Sequence, residues 1–233
     1  MRSKAPKGYR LLVVAHPDDE TIFFSGPLLT KRDLPWHVVC LTDGNADGRG
    51  EERHAELVAA TRLLGAKTLD HWQYPDIYPN RLPADEIAKR LQDLAKLKGA
   101  PKEVYTHGPM GEYGHPHHQD ACLATHRAFG PKMKIFSPAW NCAAEFAIQL
   151  TPAQYKKKTF AFSEIYRKET SRFLNILPNM AVESFRRFTS GEVEAVAGYF
   201  RHERNLSPKE LIEHSWAAKM LPELREKLET RLF

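Results

Sequence analysis

No apolar run in this chain approaches the length of a bilayer span. "MRSKAPKGYR" leads straight into a strand-like segment, without the apolar region or small-residue cleavage site of a signal peptide. The expectation is a cytoplasmic protein with no transmembrane segment. Cysteine is scarce: Cys40, Cys122 and Cys142 are odd in number and show no C-x-x-C spacing. That argues against a disulfide framework or a cysteine zinc site and leaves small buried thiols. Internal repeats and low-complexity stretches are absent. Charge of one sign is mild at +5, with four of the five excess charges beyond residue 150, where 15 Lys and Arg meet 11 Asp and Glu. No basic stripe with groove-reading elements accompanies it, so no nucleic-acid partner is expected. "KKK" at 156–158 and "RR" at 186–187 read as solvated helix faces, and an anionic small molecule stays compatible with the charge.

What is present is a 233-residue chain, 42% hydrophobic and 27% charged, enough for one sizeable core. Apolar, β-branched runs at 10–15, 36–43, 68–73, 103–107 and 134–138 read as five strands. Helical spacing separates them: Ile22, Phe23, Leu28 and Leu29; then Leu57, Ala60, Leu63 and Leu64; then Ile87, Leu91, Leu94 and Leu97; then "QDACLATHRAF". This order predicts an α/β fold, a Rossmann-like doubly wound and mostly parallel sheet with helices on both faces and a helical C-terminal part. Ligands of such sheets bind at the carboxyl ends of the strands. The expected organisation is a single domain over 1–233. Residues 1–140 form the α/β core, and 141–233 cover the sheet and wall the substrate site. In that last third "AEFAIQL" reads as strand or helix. Thr151 and Pro152 open a helix, Ser207, Pro208 and Glu210 form a capping-box start, and Pro222 breaks or kinks the terminal helix.

The first strand-to-helix turn lacks the glycines that a phosphate needs. It carries His16, Pro17, Asp18, Asp19 and Glu20 instead. Carboxylates repel a phosphate and suit a divalent cation, although Asp19 and Glu20 would also complement the positive end of a helix. A second segment, "GPMGEYGHPHHQD" at 108–120, follows the fourth strand and packs three Gly, two Pro and three His into residues 108–118. Both segments leave the same sheet edge. His16, Asp19 and a third ligand from 115–118 would make a three-ligand site with one open position, the arrangement of catalytic zinc. His37, His54, His71, His107, His126, His202 and His214 have no motif around them and are set aside.

"AHPDDE", "TDGNADGRGEERHAELVAATRLLGA" and "EYGHPHHQ", after the first, second and fourth strands, resemble the zinc-dependent de-N-acetylases of the PIG-L or LmbE type, with a looser echo in "YKKKTFAFSEIY". The resemblance implies one Zn2+ per chain and hydrolysis of the acetamide of an N-acetylglucosamine-type sugar or glycoconjugate. It makes His16, Asp19 and His118 the metal ligands and Asp18 the general base. Tyr113 and His115 would face the reacting carbonyl, Arg53 would contact substrate, and Asp76 would bind sugar hydroxyls. Membrane-bound relatives of this type carry a spanning segment, so a soluble bacterial-type enzyme is the better match. Its members more often have an acid between the two histidines. Here the position is His117, read as a spacer pointing away from the site, with Glu112 or Asp120 left as partners for His115. An amidase for a different acyl group and a non-catalytic sugar-binding module are the alternatives. Oligomeric state is open, a homo-oligomer included.

Overall fold

A computed structural model describes residues 8–140, 142–169 and 181–213. Strands β1 (Arg10–Val14), β2 (Trp36–Thr42), β3 (Thr68–Tyr74), β4 (Glu103–Thr106) and β5 (Ile135–Pro138) run parallel. Two short strands complete a seven-stranded sheet of order β3-β2-β1-β4-β5-β7-β6: β7 (Val182–Arg186) runs antiparallel to β5 and to its other neighbour, β6 (Phe146–Gln149). The five expected strands are therefore all present. "AEFAIQL" resolves as a strand, and the last third extends the sheet as well as packing helices on it.

The central strands read as unbroken apolar runs because both their faces are covered. Leu11 and Val13 of β1 join the core formed by α3 (Ala84–Lys98), α5 (Pro116–Phe129) and α7 (Ser190–Phe200). Leu12 and Val14 point to the opposite core, with Phe23, Phe24 and Leu28 of α1 (Asp19–Thr30) and Leu57 and Leu64 of α2 (Gly50–Leu64). A distorted turn, α4 (Gly111–Gly114), precedes α5. α6 (Pro152–Phe160) opens as the sequence indicates, with Thr151 and Gln154 exchanging hydrogen bonds in a capping box, and runs into a π-helical turn, Ala161–Ile165. Ser207 and Glu210 do the same for α8 (Pro208–Glu213). Pro222 lies outside the described residues. Leu97, counted on the apolar stripe of α3, is instead 84% exposed.

The basic run at 156–158 is not wholly solvated. Lys158 is buried, and its Nζ donates to Glu183 Oε1 at 2.7 Å and to the carbonyl of Ile22 at 3.0 Å, while Glu183 Oε2 accepts from Gly26 N at 2.9 Å. A buried ion pair thus clasps α1 beside Pro27, where the helix loses a backbone donor. Removing one partner strands a buried charge. Lys158→Ala should lower unfolding stability by ~3–5 kcal/mol in a denaturant titration, and Lys158→Met with Glu183→Leu should recover much of that loss. Wild-type stability in the single variant would mean that the pair is dispensable.

Candidate metal centre and active site

β1 and β4 are neighbours at the point where the strand order reverses, and the two unusual segments leave their carboxyl ends side by side. Ala15 N donates to His107 Nε2 at 3.1 Å, tying the two exits together. In the first, Asp18 sits at φ 106°, a conformation that costs a non-glycine residue roughly 1–3 kcal/mol. Buried neighbours hold it. Its carbonyl accepts from Thr21 N and Ile22 N at 2.9 Å, and its own N–H donates to Glu20 Oε2 at 3.1 Å. Glu20 is itself fixed through Oε1 by the hydroxyls of Thr21 and Tyr166, so it braces the turn as well as standing at a helix start. Gly44, at φ 64°, lets the loop after β2 lie against the same turn; a Cβ there would come within 2.9 Å of Pro17. In the second exit Glu112 also has positive φ, 55°, and His115 caps α5 by accepting from His117 N at 3.2 Å.

Three donors converge between these turns. His16 Nδ1 and His118 Nε2 are 3.2 Å apart, His16 Nδ1 and Asp19 Oδ2 3.4 Å, and His118 Nε2 and Asp19 Oδ1 3.3 Å. Ligands about 2.0–2.1 Å from one tetrahedral ion would stand about 3.3 Å from one another, a spacing the two imidazole nitrogens match, while Asp19 turns a different oxygen to each ring, Oδ2 to His16 and Oδ1 to His118. The partners behind each ring direct the lone pairs correctly. His118 Nδ1 donates to Glu112 Oε2 at 2.7 Å, which leaves Nε2 free to ligate. His117 Nε2 donates to the carbonyl of Asn80 at 2.9 Å, so His117 Nδ1 accepts from His16 Nε2 at 3.0 Å and His16 would present Nδ1 to an ion. His117 is fully buried and turned toward His16, not away from the site. Asp19 is raised by burial, but the imidazoles of His118 and His107 outweigh that and hold it well below the usual carboxylate range.

Asp18 departs from the cluster in the opposite sense. Burial drives its carboxyl up, the Arg53 guanidinium pulls it down, Asp19 raises it again, and the result is about 7. Arg53 is buried, with Nη2 donating to Asp18 Oδ2 at 2.9 Å and to the Pro17 carbonyl at 2.5 Å, and Nη1 to the Gly44 carbonyl at 3.3 Å. Asp76 is buried behind His16, its Oδ1 3.5 Å from both His16 Nε2 and His117 Nδ1. Tyr113 and His115 are half-buried, with ring centroids 5.3 and 4.9 Å from that of His118. Burial, and then the neighbouring imidazoles of His16 and His118, push His115 well below the usual imidazole range.

Neither acid suggested for His115 reaches it. Glu112 serves His118, His107 and Gly108 N, whereas Asp120 binds Arg81, Arg201 and Leu82 N. His107, set aside on sequence, belongs to the site: its ring stacks on His118 at 3.8 Å, its Nδ1 meets Glu112 at 2.9 Å and its Nε2 lies 3.2 Å from Asp19. Its one sequence signal was its place at the end of the fourth strand.

The profile of the family PIG-L, described as GlcNAc-PI de-N-acetylase, matches residues 11–129, just over half the chain and both of the turns described above. The chain belongs to the PIG-L family. A probable N-acetylglucosaminyl-phosphatidylinositol de-N-acetylase of Schizosaccharomyces pombe is 36% identical over 117 residues, 46% of this chain and 46% of its own. A 1D-myo-inositol 2-acetamido-2-deoxy-alpha-D-glucopyranoside deacetylase of Mycolicibacterium smegmatis is 31% identical over 150 residues, 51% of this chain and 52% of its own. The chain thus spans about half the length of these curated relatives. Among solved structures, the N,N'-diacetylchitobiose deacetylase of Pyrococcus horikoshii superposes with a TM-score of 0.61 at 19% identity, over 79% of this chain and 85% of its own. A deacetylase of teicoplanin biosynthesis does so with 0.61 at 16%, over 77% and 98%. Both share the PIG-L fold described above.

The geometry behind His118 carries a direct test. Glu112→Gln removes the charge that receives its Nδ1 proton and should weaken zinc binding by about 10- to 100-fold in a competition titration with a chelator. His118→Ala should weaken it further. Wild-type affinity in both variants would exclude His118 from the tight site.

Proposed function

We propose that this protein is a zinc-dependent de-N-acetylase acting on an N-acetylglucosamine-type sugar or its conjugate, releasing acetate and a free amine, with one tightly held ion on His16, Asp19 and His118. The observation that carries this reading is the division between two adjacent carboxylates. Asp19 lies in the donor triangle, and Asp18 is turned out of it and poised near neutrality. A sugar-binding module would have no use for the second. Family membership and the deacetylase names of the relatives support the same reading.

Bound zinc would supply a Lewis acid that acidifies water and polarises the acetamide carbonyl. Asp18 would take the proton of the attacking water, as a base whose affinity for protons is matched to the working pH. His115, whose Nδ1 accepts the His117 N–H, keeps its other nitrogen as a donor, and with the Tyr113 hydroxyl it would stabilise the developing oxyanion. Because His115 is neutral, Asp18 is also the better source of the proton that the departing amine needs. Asp76 would take the sugar hydroxyls. In this reading the chain is one domain, with 1–140 carrying the chemistry and 141–233 bracing and walling it. Among the described residues no helix is long and apolar enough to cross a membrane.

Asp18→Asn keeps shape and removes basicity. Zinc content should stay at the wild-type level while acetate release from N-acetylhexosamine compounds falls by about 10²- to 10⁴-fold. Asp19→Asn should lose metal as well. Normal turnover by Asp18→Asn sinks the mechanism, and reversed zinc contents would exchange the two roles.

Arg53 separates two readings of its own. A guanidinium that only touches substrate would raise KM when removed, but the contacts to Asp18 and Pro17 assign it to holding the base. Arg53→Ala should therefore lower kcat by at least about tenfold with zinc retained, and a change confined to KM would return Arg53 to substrate binding.

A further inference from the structure

The far side of His16 carries a second set of converging donors. His16 Nε2, His117 Nδ1 and Asp76 Oδ1 are separated by 3.0, 3.5 and 3.5 Å, from three different segments of the chain. An ion about 2.0–2.1 Å from each would lie slightly out of their plane, as it would above the first triangle. Two imidazole nitrogens and one carboxylate oxygen suit zinc and neighbouring borderline cations.

Two details argue that hydrogen bonding alone does not satisfy these groups. The Asn80 carbonyl occupies the His117 Nε2 proton, so the His117 Nδ1 lone pair is aimed at the cluster. Only the His16 Nε2 proton stands between His117 and Asp76, and at 3.0 against 3.5 Å it serves His117. Asp76 is a buried carboxylate whose Oδ1 lies 3.5 Å from both His16 Nε2 and His117 Nδ1 and whose Oδ2 lies 3.9 Å from Arg53 Nη1, while its backbone N–H is pinned to Asp43. It thus sets an anionic oxygen beside two imidazole nitrogens, the donor set a divalent cation takes.

We propose that His16, Asp76 and His117 form a second, weaker divalent-cation site that takes zinc or cobalt and shares His16 with the first. It rests on the assignment of His16, Asp19 and His118 to the first ion. On binding, the cation replaces the proton on His16 Nε2, which passes to solvent, and the imidazole bridges the two ions through its two nitrogens. Because Asp76 is the residue assigned to the sugar hydroxyls, filling this site blocks substrate, and zinc beyond the first equivalent inhibits.

The test is metal stoichiometry. The zinc-loaded protein is dialysed against free zinc from nanomolar to about 100 µM, and bound metal per chain is measured by elemental analysis. The expected curve has two plateaus, at one and two ions. His117→Leu and His117→Asn should still bind one ion, at an affinity lowered because His117 also orients His16, and should lose the second plateau, the retained first ion certifying the fold. Asp76→Asn should do the same without disturbing α5. A single plateau at one ion overturns the second site and leaves the deacetylase reading standing. A second plateau that survives in all three variants overturns it too, because the ion then lies elsewhere. No bound zinc at any concentration removes both sites.

Discussion

The backbone reversal at Asp18 is the constraint from which the rest of the site follows. Two adjacent carboxylates have to meet different partners from one turn. At φ 106° they do: Asp19 enters the donor triangle, and Asp18 faces Arg53. The conformation is unfavourable, and its stability comes from polar groups withdrawn from water. Glu20 takes the Asp18 N–H, Arg53 takes the Pro17 carbonyl, and the first turn of α1 takes the Asp18 carbonyl. Strain of this kind persists where the surroundings over-determine it.

Charge follows the same pattern of mutual dependence. Glu112 bridges the Nδ1 atoms of His107 and His118, so one carboxylate fixes two stacked rings. His117 orients His16 through a chain that ends on a backbone carbonyl, where no proton can be lost. Each imidazole that presents a lone pair forward has a partner behind it, the feature that distinguishes a prepared metal centre from a chance cluster of histidines. One step further out, Asp120 gathers Arg81, Arg201 and Leu82 N, locking the segment after Asp76 and the end of α7 onto the helix that carries His118.

The sequence carried the sheet more clearly than the side-chain directions. β1 to β5 were legible because burial on both faces demands continuous apolar runs. β6 and β7 were not, since four or five residues at the sheet margin, alternately exposed, carry little periodicity of either kind. The spacing of His16, Asp18, Asp19 and His118 was visible, but facing was not. His117 looked like a spacer, yet the first turn of α5 points it and His118 at opposite nitrogens of His16. His107 had no motif because its partner Glu112 reaches it only through a turn with positive φ, a geometry that no residue type announces. Lys158 sat in a run of three lysines, and only its place opposite Glu183 separates it from its neighbours.

The last third of the chain has its effect through α1. Lys158 and Glu183 grip the middle of that helix at Ile22 and Gly26, and Tyr166 holds Glu20, which in turn holds the Asp18 backbone. Arg49 and Glu169, in contact across the start of α2, add a link between the same region and the helix that supplies Arg53. These contacts converge on one short helix whose first residue is a proposed ligand and whose cap is the proposed base. Residues well beyond the segment that the family profile covers therefore help set the angle between Asp18 and Asp19. The proposed chemistry lies on two turns of the sheet, and its precision depends on the later elements that keep α1 in place.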